Sequence, residues 1–213
     1  MRPLFEEGSR RMTVRLMLIA PALNPGVREA RFAHDAPLDT AGVRGAAAVA
    51  AAGEVPAADV YAHGPSEPCR QTAEVLGLAA CAEPRFGDWD LGRWSGRRLS
   101  EVSAAEPEAV SEWLADPSAV PHGGESLLQL TARVGDLLDA TAAGTVQVPG
   151  STAGAAGNRV LAVVEPAVVR AAVVHALALP VTAFWRLDVA PLGLTELSGR
   201  AGRWNLRCGR PLG

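Results

Sequence analysis

Two short apolar runs constrain the fold of this chain more than any other feature of its sequence. The first covers residues 14–20 and the second covers residues 159–164. Each has the length and composition of a buried strand. A polar, irregular stretch follows the first run, and a segment with helical composition follows the second.

Segments with helical character alternate with these and other short strands along the chain. The helices are predicted at residues 40–52, 66–78, 101–114 (with a break at Pro107), 125–143 and 166–179. A third short strand is predicted at 59–62, and closing strands or a hairpin at 184–197 and 203–206. This alternation predicts an α/β protein, a single-domain three-layer sandwich with a mostly parallel sheet and helices on both faces.

The predicted domain covers residues 13–207. Residues 1–12 are charged and are expected to form a flexible N-terminal extension, and residues 208–213 a C-terminal tail. Residues 144–157 consist mostly of Gly, Ala, Ser, Thr and Val, and they lack the Gly-Lys-Ser/Thr of a phosphate-binding loop. We expect them to form a flexible surface connection.

Composition and charge exclude several classes of function. The formal net charge is −3 and no basic face is evident, so a nucleic-acid partner is not expected. No apolar run approaches the roughly 20 residues of a membrane span, and residues 1–11 lack the apolar stretch of a secretory signal. The three cysteines have no metal-like spacing. We therefore expect a cytoplasmic protein with reduced thiols, no metal and no cofactor.

Five segments follow one another in an order that is typical of one protein family. They are Asp-Ala-Pro-Leu-Asp-Thr-Ala-Gly at 35–42, Gln-Thr-Ala at 71–73, the Asp/Gly/Trp-rich loop at 88–96, Pro-His-Gly-Gly-Glu-Ser at 121–126, and the strand with its Glu-Pro end at 160–166. Together they resemble the histidine phosphatase (phosphoglycerate mutase-like) superfamily. The resemblance implies a phosphoglycerate mutase-like fold.

The resemblance also implies where the catalytic positions of the family fall. The nucleophilic His falls on Pro21 and its neighbouring Arg on Ala20, whereas the second Arg falls on Pro68 and the second His on Glu165. Proline has no titratable atom and no N–H, so Pro21 can neither attack phosphorus nor donate a hydrogen bond. Of the family's reactive groups, only the acidic proton donor has a counterpart, Asp88.

These replacements predict that the site has lost its positive charge. Carboxylates at Glu165 and Asp88 would face the phosphate, and like charges at about 4 Å cost on the order of 4 kcal/mol at an effective dielectric near 20. The sequence therefore predicts a protein inactive as a phosphatase, that is, a pseudophosphatase with a binding or regulatory role. One alternative is a repurposed enzyme that uses Glu165 and Asp88 as acid and base on an unphosphorylated small molecule, as a lyase, cyclase, isomerase or hydrolase. A second alternative is a residual phosphatase.

The candidate site residues follow from this interpretation. Glu165 and Asp88 are candidate catalytic residues only under the repurposed-enzyme alternative, and Glu165 could equally cap the helix that begins at Pro166. Candidates for lining the pocket are Ala22, Asn24, His63, Trp89 and Arg28. The partner is expected to be an unknown small molecule or a protein. The sequence does not decide whether the chain forms a homo-oligomer.

Overall fold

The computed structural model describes residues 13–33, 35–143, 159–200 and 202–208. The predicted extension at 1–12, the predicted surface connection at 144–157 and all but the first residue of the predicted tail at 208–213 lie outside the described residues.

One six-stranded sheet forms the centre of the described fold. Its strands are β1 (Val14–Ile19), β2 (Val60–His63), β3 (Cys81–Ala82), β4 (Arg159–Val163), β5 (Leu194–Arg200) and β6 (Arg203–Arg207). Their order across the sheet is β3-β2-β4-β1-β5-β6. The first four strands in this order run parallel, and β5 and β6 continue the sheet antiparallel. The prediction of a single α/β domain with a mostly parallel sheet is thus confirmed.

Helices and short 3₁₀ turns connect the strands. The helices are α1 (Pro25–Arg28), α2 (Thr40–Ala51), α3 (Glu67–Val75), α4 (Leu99–Ala105), α5 (Pro107–Ala115), α6 (Leu127–Ala142) and α7 (Pro166–Ala176). The 3₁₀ turns cover Pro84–Phe86, Gly92–Trp94 and Val181–Arg186. None of the helices in the described ranges is long and apolar enough to cross a membrane.

Side chains on alternate positions of β1 enter two different cores. Leu16 and Leu18 belong to a large cluster that includes residues of α6 and α7. Met17 and Ile19 belong to a smaller cluster that includes residues of α2 and α3. This period of two, typical of a strand buried on both faces, places one helical layer on each side of the sheet.

The segment at 184–197 differs from its prediction as a strand. Phe184 lies in a 3₁₀ turn with its side chain buried in the large core, and strand β5 begins only at Leu194. Pro191 has no N–H to pair with a neighbouring strand, and Leu192 adopts a positive φ of 59°. Pro191 and Leu192 thus form a turn just before β5. The apolar residues that precede this turn pack as a 3₁₀ turn and do not extend the strand.

Candidate functional site

A cavity of about 330 Å³ lies beyond the carboxyl end of β4. The loop that follows β1, the starts of α3 and α7, and the loop that contains Asp88 all contribute to its wall. Open α/β sheets place their ligand sites at this end of parallel strands. The cavity is therefore the candidate functional site.

Glu165 follows β4 directly and occupies the cap position of α7, yet its side chain makes no capping hydrogen bond. Its Oε1 instead accepts a hydrogen bond of 2.6 Å from the Oγ of Ser66, the cap residue of α3. The Sγ of Cys69 lies 3.7 Å from the same oxygen. The carboxyl group of Glu165 thus joins the beginnings of two helices at the cavity wall.

Burial and nearby negative charges raise the pKa values of the two carboxyl groups at this site. Burial raises the pKa of Asp88 to about 7, and the negative charge of Glu165 contributes to the same shift. Burial also raises the pKa of Glu165, although the hydrogen bond from Ser66 opposes this effect. Because burial and the charge of Glu165 disfavour ionised Asp88, the pair tends to hold a proton near neutral pH. Such a pair can serve as an acid and a base.

Arg170 supplies a positive charge to the same cavity. It lies on α7 between the buried residues Val169 and Ala171, and its guanidinium sits 5.6 Å from the ring centre of Phe184. Its Nε is buried without a hydrogen-bond partner. Within the described ranges Arg170 takes part in no ion pair, so its charge is available to an anionic ligand.

Arg31, in the loop after β1, also lines the cavity. It is paired with Glu29 at 2.8 Å and donates a 2.7 Å hydrogen bond to the backbone oxygen of Gly96. These contacts use most of the N–H groups of Arg31. Arg31 therefore acts on the cavity through its positive charge more than through direct hydrogen bonds to a ligand.

Five aromatic residues make up much of the remaining wall. They contact one another mostly edge to face, at ring-centre distances between 4.7 and 5.8 Å. These residues are Phe32, Trp89, Trp113, Phe184 and Trp185.

The structure brings some of the predicted pocket residues together. Asp88, Glu165, Asn24 and Trp89 all line the cavity. The side chain of Asn24 also accepts a hydrogen bond from the N–H of Val27 and so caps α1. Asn24 and Trp89 are buried apart from their contact with the cavity.

The other three predicted pocket residues lie elsewhere. Ala22 is fully buried in the smaller core, on the opposite side of the sheet. His63 is buried at the end of β2, where its Nδ1 lies 2.7 Å from the backbone oxygen of Gly64. Arg28 is ion-paired with Asp39 on the surface. Each side chain is held by a local partner that the sequence pattern did not reveal.

The three inert positions implied by the resemblance are enclosed. Ala20 donates a 3.1 Å hydrogen bond to the backbone oxygen of Gly193, and the N–H of Leu192 lies within bonding distance of the carbonyl oxygens of Ala20 and Pro21. Pro68 is buried in the first turn of α3. The loop before β5 therefore covers the end of β1.

Sequence reasoning missed Arg170, Ser66 and most of the aromatic wall. Arg170 reads as an ordinary helix residue, and Ser66 as an ordinary helix cap. One signal could have found Arg170: it lies about one turn into α7, the helix that follows β4 and is capped by Glu165. Among the described residues, no group of three or more His, Cys, Asp or Glu could hold a metal ion.

The fold and the site together define an α/β protein with two carboxyl groups and an arginine in a pocket at the ends of parallel strands. The sequence profile of the histidine phosphatase superfamily (branch 1) matches residues 24–209, and the chain belongs to that family.

Known relatives share either a part of the sequence or the fold. The glucosyl-3-phosphoglycerate phosphatase of Mycobacterium tuberculosis is 35% identical over 60 residues, which are 28% of this chain and 27% of the relative. The chain thus matches only about a quarter of the length of this curated relative.

Solved structures match over nearly the whole chain. A mycobacterial glucosyl-3-phosphoglycerate phosphatase superposes with a TM-score of 0.72 and 23% identity, covering 92% of this chain and 97% of the other. A putative α-ribazole-5′-phosphate phosphatase from Escherichia coli superposes with a TM-score of 0.76 and 17% identity, covering 91% of this chain and 94% of the other. At these identities the likeness shows the fold.

These relatives correct the prediction of a pseudophosphatase. They are named as phosphatases, which contradicts an inactive protein with a binding or regulatory role and also an enzyme for unphosphorylated molecules. The charge argument behind that prediction left out Arg170, which lines the same cavity. It also counted Asp88 and Glu165 as two full negative charges, although the raised pKa of each favours its protonated form.

Proposed function

We propose that this protein is a phosphatase that hydrolyses a phosphomonoester with Asp88, Glu165 and Arg170. The observation that carries the proposal is the presence of two carboxyl groups with raised pKa values and an unpaired guanidinium in one cavity of a histidine phosphatase fold. The proposal includes the substitution of the family's catalytic positions by Ala20, Pro21, Pro68 and Glu165, which the resemblance implies.

In this proposal Arg170 binds the phosphoryl group. Its guanidinium can donate two parallel hydrogen bonds to phosphate oxygens and can stabilise the charge that develops on them during transfer. The unpaired N–H of Ala167 in the first turn of α7, which lines the cavity, adds a donor at the positive end of the helix dipole. These groups offset the repulsion between the phosphate and the carboxyl pair.

Glu165 acts as the general base toward water. Its Oε1 is held by Ser66, and no donor among the described residues bonds its Oε2. Glu165 takes a proton from the attacking water while the water oxygen bonds to phosphorus. Since burial raises its pKa, Glu165 is a stronger base than an ordinary glutamate.

Asp88 acts as the general acid. At a pKa of about 7, a large fraction of its carboxyl groups is protonated at neutral pH. Asp88 gives this proton to the leaving oxygen as the phosphorus–oxygen bond breaks. The proton taken up by Glu165 then returns to Asp88 through solvent, and the site is ready for another cycle.

The test measures release of inorganic phosphate from a panel of phosphomonoesters that includes p-nitrophenyl phosphate. We expect Asp88→Asn, Glu165→Gln and Arg170→Gln each to lower kcat/KM about 100-fold or more, because each removes an acid, a base or a charge acting in the transition state. Arg28→Gln is the matched control: this exposed arginine lies outside the cavity, and the variant should stay within about twofold of the wild type.

Two results would overturn the proposal. One is the absence of phosphate release from every ester by the folded protein. The other is a rate that the Glu165 and Arg170 substitutions leave unchanged, which would indicate a contaminating enzyme. A single turnover in ¹⁸O-labelled water tests the role of Glu165 as a base. The label should then enter phosphate and not the Glu165 carboxyl group.

A further inference from the structure

Three aromatic side chains form a slot in the wall of the cavity. Trp113 is its floor and is 6% exposed. The ring of Phe32 meets that floor at 5.7 Å with an interplanar angle of 88°, and the ring of Trp185 meets it at 4.7 Å and 73°. We call Phe32, Trp113 and Trp185 the aromatic slot.

The two walls of the slot are accessible where the floor is not. Phe32 and Trp185 are only partly buried, although Phe32 stacks on Trp94 at 5.7 Å and Trp185 meets the edge of Phe184 at 5.2 Å. Because both rings stand nearly upright on the same floor and line the cavity, a flat group in the cavity can lie beside them. Aromatic faces and edges bind flat rings more favourably than they bind hydrated polar groups.

Three polar side chains near the slot are used within the protein, whereas the buried indole Nε1 of Trp113 has no hydrogen-bond partner among the described residues. The indole N–H of Trp89 donates to the backbone oxygen of Glu125 at 2.7 Å, and Asn24 accepts from Val27. Arg31 is engaged by Glu29 and Gly96. A polyhydroxylated leaving group placed here would lose its hydrogen bonds with water and find few replacements, which is costly.

We propose that the substrate is a phosphomonoester of an alcohol bearing a flat aromatic ring, which lies in the aromatic slot while the phosphate lies against Arg170. This substrate class rests on the proposed function. Phosphate recognition and ring recognition are, however, carried by different residues, so they can be tested separately.

The kinetic test compares two alkyl phosphates. 2-Naphthylmethyl phosphate and isobutyl phosphate both leave as primary alcohols, so their ratio reports ring binding more than leaving-group acidity. We expect kcat/KM to be at least about tenfold higher for the naphthyl ester, in line with the contribution of aromatic contacts. Trp185→Leu should reduce this ratio to about threefold or less, and Phe32→Leu should reduce it as well.

Tyr61→Leu is the matched control, because Tyr61 is a partly buried aromatic residue that packs against the smaller core on the other side of the sheet. This variant should keep the full ratio. Equal kcat/KM for the two esters in the wild type would overturn the proposal that the aromatic slot binds the ring of the substrate. A ratio that neither slot substitution lowers would overturn it as well.

A binding test separates the slot from the reaction. Calorimetry with 2-naphthylmethanol, which carries no phosphate, should show binding to the wild type and to Glu165→Gln, and weaker binding to Trp185→Leu and Phe32→Leu. If the alcohol binds in this way and no ester is hydrolysed, the proposed function fails and the slot stands. If esters are hydrolysed and the alcohol does not bind, the slot fails and the proposed function stands.

Discussion

Asp88 illustrates how the surroundings of one residue determine its chemistry. An exposed aspartate at the same place in a Gly- and Trp-rich loop would be ionised and would serve as a turn former. Here the group is buried near Glu165, and its pKa is raised to about 7. The charged form is therefore disfavoured in the folded protein relative to the unfolded chain, which links the site to the stability of the fold.

Asp88→Asn should stabilise the protein at alkaline pH. The folded pKa of Asp88 is above its ordinary value of 3.8, so its favourable contribution is fully present below that value and is lost as pH rises toward and through about 7. At pH 8 the neutral amide should raise the free energy of unfolding by about 1–3 kcal/mol, and at pH 4 it should change little. Urea unfolding at both pH values measures this difference.

Asp136→Asn is the control for that measurement, since Asp136 lies exposed on α6. It should leave the stability unchanged at both pH values within about 0.5 kcal/mol. A pH-independent effect of Asp88→Asn would mean that the carboxyl group is not protonated by its surroundings, and would contradict its proposed role as an acid.

The sequence predicted part of this site and could not predict the rest. Glu165 could be singled out because it follows a buried strand, and Asp88 because of its loop. The hydrogen bond between Ser66 and Glu165 joins residues 99 positions apart, and no local pattern encodes it. Arg170 was missed for a similar reason: a helix periodicity reports which face is apolar, whereas the cavity that this arginine enters is formed by distant loops.

At the scale of elements, α7 positions two of the residues that line the cavity, and α6 packs against α7. Glu165 and Arg170 lie at the start and in the middle of α7. Further along the helix, the ring of His175 packs directly on Gly135 of α6, where a Cβ would lie 2.3 Å from Nδ1. His175 is also held 3.3 Å from Asp139. The spacing of the two helices thus depends on the missing side chain of Gly135.

Gly135→Ala should destabilise the protein although alanine favours helices. The clash with His175 must push the ring or α7 away, and overpacking of this kind costs about 1–3 kcal/mol, which exceeds the gain of up to about 1 kcal/mol in helix propensity. Denaturant unfolding should show a net loss, and any phosphatase activity should fall with it.

Gly45→Ala provides the matched comparison. Gly45 lies inside α2, where a Cβ would meet Leu192 at 3.5 Å, an ordinary contact. This variant should gain about 0.5–1 kcal/mol. A loss for Gly45→Ala, or a gain for Gly135→Ala, would contradict this account of helix packing.

The helices and strands were largely predictable, and the exceptions are segments too short to show a clear periodicity. Pro107 separates α4 from α5, where a break was predicted. The apolar residues around Phe184 were assigned to a strand because a short apolar run does not distinguish a strand from a buried helical turn. Strand β3, which consists of Cys81–Ala82, is too short to carry a period at all.

At the scale of the whole molecule, a net charge of −3 does not favour an anionic ligand, so binding must depend on the local field. Five charged groups line the cavity. The acidic ones are Asp35, Asp88 and Glu165, and the basic ones are Arg31 and Arg170. With every carboxyl group ionised the cavity would be net negative. A proton on the Asp88–Glu165 pair makes it neutral, so acidification should favour anions.

Dilute sulfate tests this balance in the intact protein, because sulfate stays a dianion across the relevant pH range. At pH 5.5 the pair holds its proton, and sulfate should raise the free energy of unfolding by about 1.4 kcal/mol at ten times its Kd. At pH 8 the effect should be much smaller, since Asp88 is then mostly ionised. Thermal unfolding with increasing sulfate gives both values.

Arg170→Gln should abolish the stabilisation at pH 5.5, and Arg28→Gln should keep it. Equal stabilisation at the two pH values, or stabilisation that survives Arg170→Gln, would show that sulfate binds elsewhere and that the cavity does not attract anions as we infer.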